Sequence, residues 1–143
     1  MQLGNILSGG HIMNRIVHFE IQADDIKRAK EFYTKIFGWK IEKWEGGFDY
    51  WFILSDDEGK YPEGINGGLL QRSAPKPEGM LGANAFVCTM QVDDFDNLSE
   101  KILEAGGRIA LPKYALPGMA WQGYFIDTEG NTFGLHQPDE NAK

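Results

Sequence analysis

Apolar and polar residues alternate at two places in the chain. Val17, Phe19, Ile21 and Ala23 fall on one side of an extended segment, and Ile16, His18, Glu20 and Gln22 on the other. The alternation returns with Phe86, Cys88, Met90 and Val92 against Ala85, Val87, Thr89 and Gln91. A period of two with one apolar face predicts a half-buried strand. An acidic pair follows each strand, Asp24-Asp25 and Asp93-Asp94. Either Asp suits a helix N-terminus, where a carboxylate accepts the orphan amide bonds and meets the positive end of the dipole. Helical spacing comes next: Ile26, Ala29, Phe32, Tyr33, Ile36 and Phe37 in one half, Phe95, Leu98, Ile102 and Ala105 in the other. Gly38 and Gly106 are expected to end these helices in the left-handed region. Three short strands then follow in each half, at 39–45, 48–54 and 65–71, and at 108–112, 120–127 and 131–137. Asp127-Thr-Glu-Gly130 reads as a turn with Gly130 at positive φ.

The halves read as two copies of one unit. A shift of 69 positions lays Gln22 on Gln91, Asp24 on Asp93, Asp25 on Asp94, Glu31 on Glu100 and Gly38 on Gly107. Further on the offset drifts, laying Tyr50-Trp51-Phe52 on Tyr124-Phe125-Ile126 and Gly68-Leu69 on Gly134-Leu135. The expected fold is α+β, with two tandem βαβββ modules forming a cupped, mostly antiparallel sheet with helices outside. The modules span 14–71 and 84–138. Residues 72–83, which include Pro75 and Pro77, form a linker. Residues 1–13 read as a flexible leader or added extension, in which His11 is given no role, and 139–143 as a tail.

Composition narrows the function. A length of 143 residues suits one domain of the usual ~100–200 residues. The net charge of −7 offers no footprint for phosphate backbones or anionic bilayers, so neither nucleic acid nor membrane is an expected partner. Cys88 is the sole cysteine, which excludes an intrachain disulfide and a multi-cysteine zinc site. A reduced, cytoplasmic setting is the expectation. Gly67-Gly68 and Gly106-Gly107 are not followed by Gly-Lys-Ser/Thr, and neither His-Glu-x-x-His nor Gly-x-Ser-x-Gly occurs.

Val17-His-Phe-Glu-Ile-Gln-Ala-Asp-Asp25, Ala29-Lys-Glu-Phe-Tyr-Thr-Lys-Ile-Phe-Gly-Trp39 and Asp127-Thr-Glu-Gly-Asn-Thr-Phe-Gly-Leu135 resemble the vicinal oxygen chelate superfamily of glyoxalases, bleomycin-resistance proteins and extradiol dioxygenases. The resemblance covers nearly all of 14–138. It implies metal ligands at four positions, one on the first and one on the last strand of each module. Those positions here carry His18, Gly68, Val87 and Gly134. One imidazole does not hold a divalent ion against water, so the expectation is no metal cofactor. The two glycines and the valine are expected to leave a roomier, less charged cavity for a small apolar or aromatic molecule.

The expected ligand-binding residues are His18, Glu20, Gln22, Gly68, Val87, Thr89, Gln91, Gly134 and His136. His18 and Glu20 share a strand face and are the candidates for acid–base chemistry. His136 is a second imidazole, so His18 and His136 keep a non-family divalent metal site open. That alternative is a metal-dependent lyase or isomerase resembling glyoxalase I, a lactoylglutathione lyase. About half of Trp44, Tyr50, Trp51, Phe52, Trp121, Tyr124 and Phe125 are expected in the core and the rest against a ligand. Cys88 is expected as a small core residue. The resemblance also implies a homodimer.

Overall fold

In the computed structural model, which describes residues 18–56, 64–76 and 87–143, each alternating segment becomes the edge strand of its own sheet. β1 (Phe19–Ala23) runs parallel to β4 (Gly67–Gln71), which is antiparallel to β3 (Trp51–Leu54), itself antiparallel to β2 (Lys40–Lys43). β5 (Cys88–Gln91), β8 (Thr132–Pro138), β7 (Ala120–Ile126) and β6 (Arg108–Leu116) repeat that order in a second four-stranded sheet. The topology is therefore duplicated, and both sheets are mixed.

The helices start and stop where their caps dictate. Asp25 accepts a bond of 3.0 Å from the Arg28 amide at the head of α1 (Ile26–Phe37), and Asp94 one of 3.1 Å from the Asn97 amide at the head of α2 (Phe95–Glu104). Gly38 ends α1 at φ 70°, and Gly106 follows α2 at φ 97°. Both conformations strain any residue with a Cβ.

One core serves both modules. Ala29, Phe32, Tyr33 and Ile36 of α1 bury against Ile53 and Leu69 of the first sheet, and the cluster extends to Phe125, Phe133 and Leu135 of the second. Phe133 is the hub: its ring lies 6.1 Å from Phe32, 5.9 Å from Phe37 and 5.9 Å from Phe125. Burying a phenylalanine contributes ~1.5–3 kcal/mol. This shared cluster joins the halves within a single chain.

A polar clasp completes the joint. The Glu129 carboxylate, buried in the β7–β8 turn, accepts bonds from Arg28 Nε (2.7 Å), Arg28 Nη2 (3.0 Å), the Asp25 amide (2.9 Å) and Thr128 Oγ1 (2.8 Å). Burial pushes Glu129 up, but the bonds from Arg28, Asp25 and Thr128 outweigh it and hold the carboxyl below its ordinary value. Tyr33 donates across the modules to Asp127 Oδ2 at 2.5 Å. Arg72, just past β4, reaches the carbonyls of Gln22 and Glu129, and Asn131 Nδ2 donates to the Gln22 carbonyl at 2.8 Å.

Three expectations are corrected. The strand expected at 108–112 continues to Leu116. Pro112 lacks an amide proton, so the ladder is irregular between Ile109 and Tyr114 and resumes at Tyr114 opposite Gln122. Cys88 pairs with buried Phe133, so its face is the helix side as expected, yet the residue is exposed because β5 is an edge strand. The repeat is also out by two residues in the middle. Phe52 lies opposite Gly68, and Tyr124 opposite Gly134, so Phe52 matches Tyr124 and Tyr50 matches Gln122. The expectations for 1–13, His11, Ile16, Val17, Ala85 and Phe86 lie outside the described residues.

Candidate functional site

The polar face of β1 points away from α1, as the alternation dictates. Glu20 sits opposite Gly68, and Gly68 opposite Phe52. The neighbour that matters most is Tyr50. An ideal Cβ at Gly68 would collide with the Tyr50 hydroxyl and ring. The space in which a side chain at 68 would project is therefore filled, not empty, which corrects the expectation of a roomier cavity in this module. Tyr50 itself is 8% exposed.

The phenol links two of the expected site residues. His18 Nε2 lies 2.6 Å from the Tyr50 oxygen, and Tyr50 donates to Glu20 Oε1 at 3.3 Å. A phenol has one proton. With that proton on Glu20, the imidazole donates from Nε2 and its Nδ1 is left as an acceptor. Burial first, then the Glu20 charge and the bond to it, raise the phenol above its ordinary 10.0. Tyr50 is therefore a neutral donor around neutrality.

Aromatic rings extend this surface. Trp44, Phe48, Tyr50 and Phe52 form a closed circuit of edge-to-face contacts: Trp44–Phe48 at 4.9 Å, Phe48–Tyr50 at 5.9 Å, Tyr50–Phe52 at 5.7 Å and Phe52–Trp44 at 6.4 Å. Trp44, Phe48 and Phe52 are exposed. Trp51, one residue out of phase, packs on the core instead.

The second module repeats the arrangement with different groups. Thr89 lies opposite Gly134, and an ideal Cβ at Gly134 would come within 2.6 Å of Thr89 Oγ1 and 3.1 Å of Gln122 Nε2. His136 Nδ1 is 2.8 Å from Gln122 Oε1. Gln122 thus holds the strand position that Tyr50 holds in the first module, but at Gly134 the nearest atom belongs to Thr89, with Gln122 and Tyr124 at 3.1 Å. Val87 is half-buried, Thr89 and Gln91 are exposed, and Gln22 is half-buried with its carbonyl taken by the clasp. The structure brings His18 together with Glu20 through Tyr50, and His136 together with Gln122. No contact joins His18 to His136 among the described residues.

The donor set does not fit the four-ligand metal site that the superfamily resemblance implies. Of the four positions only His18 carries a ligating side chain, and the space at Gly68 is occupied by Tyr50. Among the described residues, no three His, Cys, Asp or Glu side chains converge as a metal site requires.

Tyr50 and Gln122 are the residues that sequence reasoning missed in this role. Each comes two positions before the residue that faces a glycine on the neighbouring strand. That signal appears only once the strand register is fixed. A depression of about 460 Å3 also exists, between Lys27, Lys30, Glu31, Thr34 and Lys35. Its walls come from α1 alone, and none of the residues above borders it. No helix among the described residues is long and apolar enough to cross a membrane.

Residues 15–48 match the family described as bleomycin resistance protein-like N-terminal. CFP32 of Mycobacterium tuberculosis, whose name proposes a glyoxylase, is 27% identical over 129 residues, covering 85% of this chain and 45% of its own length. The same holds for CFP32 of Mycobacterium bovis. The chain thus spans less than half the length of the curated relatives it matches.

A glyoxalase/bleomycin resistance protein/dioxygenase family enzyme from Burkholderia phytofirmans superposes with a TM-score of 0.65 at 19% identity, covering 86% of this chain and 98% of that one. A point mutant of the fosfomycin resistance protein FosX from Listeria monocytogenes, complexed with Mn(II) and dihydroxypropylphosphonic acid, gives 0.64 at 17% identity, covering 87% and 90%. At such identities the structures share the fold. The fold is that of a glyoxalase-like protein with two modules. The family match and these structures support the resemblance to the vicinal oxygen chelate superfamily.

Proposed function

We propose that this chain binds a small apolar or aromatic molecule on the non-helix faces of its sheets, without the metal of its chelating relatives. The occupation of the Gly68 position by Tyr50 carries this reading. Where a ligating side chain would project, a neutral phenol ties His18 to Glu20. The exposed rings of Trp44, Phe48 and Phe52 beside it supply apolar contact area with few internal rotations, the usual chemistry of a small-molecule site. Gln22 on the first sheet, and Val87, Thr89, Gln91, Gly134 and His136 in the second module, are proposed to line the rest of the surface. A homodimer and a cytoplasmic setting belong to the same reading.

Elemental analysis of untreated protein tests it, together with intrinsic tryptophan fluorescence during titration with naphthalene. The expected result is far less than one metal equivalent and saturable quenching. One equivalent of manganese, iron, nickel or zinc surviving dialysis would overturn it.

A metal-dependent lyase or isomerase is the second reading. His18, which keeps a ligating side chain at one of the four implied positions, favours it. Turnover of a glutathione hemithioacetal that is lost with a chelator and in His18→Ala would establish it.

A further inference from the structure

On that reading, we infer that the ligand is an organic cation, a protonated or quaternary amine on an aromatic or apolar body, seated between the Glu20 carboxylate and the rings of Trp44, Phe48 and Phe52.

Two independent features converge on this class. The first is the ring circuit. Its four contacts have interplanar angles of 68°, 79°, 74° and 67°. Rings set edge to face around a circuit turn their electron-rich faces in several directions, and that surface attracts a cation. Exposure rises from Tyr50 at 8% through Trp44 at 36% and Phe52 at 43% to Phe48 at 62%, so the circuit has a floor and open walls. The indole of Trp44 lies so close to Gly46 that a Cβ there would collide with it. The glycine therefore lets the loop support the ring.

The second feature is the charge beside the floor. Glu20 accepts from Tyr50, and among the described residues no cation pairs with it. The lysines of β2, on the far edge of this sheet, pair with other groups: Lys40 with Glu42, and Lys43 with Asp49 and the Trp51 ring. A carboxylate with no cationic partner among the described residues, set beside exposed aromatic rings, complements a positive ligand and repels an anionic one. A neutral ligand would use the rings and gain nothing from the Glu20 charge.

Three probes of matched size separate these cases: phenyltrimethylammonium, its neutral isostere tert-butylbenzene, and benzoate. Each is titrated against the full chain by tryptophan fluorescence. The expected order is phenyltrimethylammonium tighter than tert-butylbenzene by about tenfold, with benzoate weakest. In Glu20→Gln, its fold checked by circular dichroism, the ratio of cation to isostere falls toward one. Phe52→Leu weakens the cation by several-fold. If tert-butylbenzene binds as tightly as the cation to the unaltered protein, the cation inference falls while the binding reading stands. If neither binds, both fall. Retention of the full cation preference in Glu20→Gln also overturns the inference.

Discussion

Arg28 and Glu129 stand 101 residues apart in the chain and share two charge-assisted bonds, at 2.7 and 3.0 Å, across the joint between the modules. The arginine is half exposed and the glutamate fully enclosed. The asymmetry decides which partner matters more. Arginine can turn to water, whereas the carboxylate is the shared acceptor for Arg28, the Asp25 amide and Thr128.

Glu129→Ala should therefore destabilise the fold by about 2–4 kcal/mol, because several donors lose one buried acceptor together. Urea denaturation followed by circular dichroism reads this as a lower midpoint. An unchanged midpoint would show that the clasp contributes nothing to the joint.

The same carboxylate sets a pH dependence. Its folded pKa is depressed below the ordinary 4.5, so its contribution is present above that value and lost as pH falls through the folded pKa. Asp127 has the opposite sign. Burial raises its pKa above 3.8 despite bonds from Tyr33, Asn131 and Glu129, so its contribution is fullest below 3.8 and lost as pH rises through the folded value. Glu129→Gln should be less stable than the parent at pH 7, and the gap should narrow at about pH 3. Denaturation midpoints at the two pH values check this.

Position 68 supplies a coupling test. Gly68→Ala should cost about 1–3 kcal/mol, since the new methyl meets the Tyr50 phenol. All three nearest atoms belong to Tyr50, so Tyr50→Leu should absorb much of that cost. The double variant should then be more stable than the sum of the two single changes predicts. Strict additivity in chemical denaturation would contradict the contact between position 68 and Tyr50.

The Tyr50 phenol should titrate above 10.0, raised by burial and by Glu20. Glu20→Gln should bring it down, because the charge disappears while burial remains. Site-resolved carbon chemical shifts of the tyrosine ring against pH distinguish Tyr50 from Tyr33, whose phenol burial and Asp127 also raise.

Much of the fold is legible in the sequence because its signals are local. Asp25 and Asp94 cap helices, Gly38, Gly106 and Gly130 take positive φ, and the alternation in β1 sorts Ile21 and Ala23 from Glu20 and Gln22. The misreadings arise where register or neighbours decide. Counting on to Leu116 requires knowing that a ladder resumes beyond Pro112. Assigning Cys88 to the edge rather than the core requires knowing that, among the described residues, β5 has a neighbour on one side only. The pairing of Tyr50 with Gly68 joins residues on adjacent segments whose relative slide no one-dimensional pattern states. The family resemblance singles out His18, Gly68 and Gly134, and the polar strand faces add Glu20 and His136, but neither signal states what each side chain touches.

The phenol over Gly68 also constrains mutational routes through this fold. A glutamate placed at that position alone would strike Tyr50, and Tyr50 replaced alone by a smaller residue would leave a hole there. Neither order of the two changes passes through a comfortable intermediate. Introducing a chelating carboxylate at position 68 therefore calls for paired substitutions at 68 and 50.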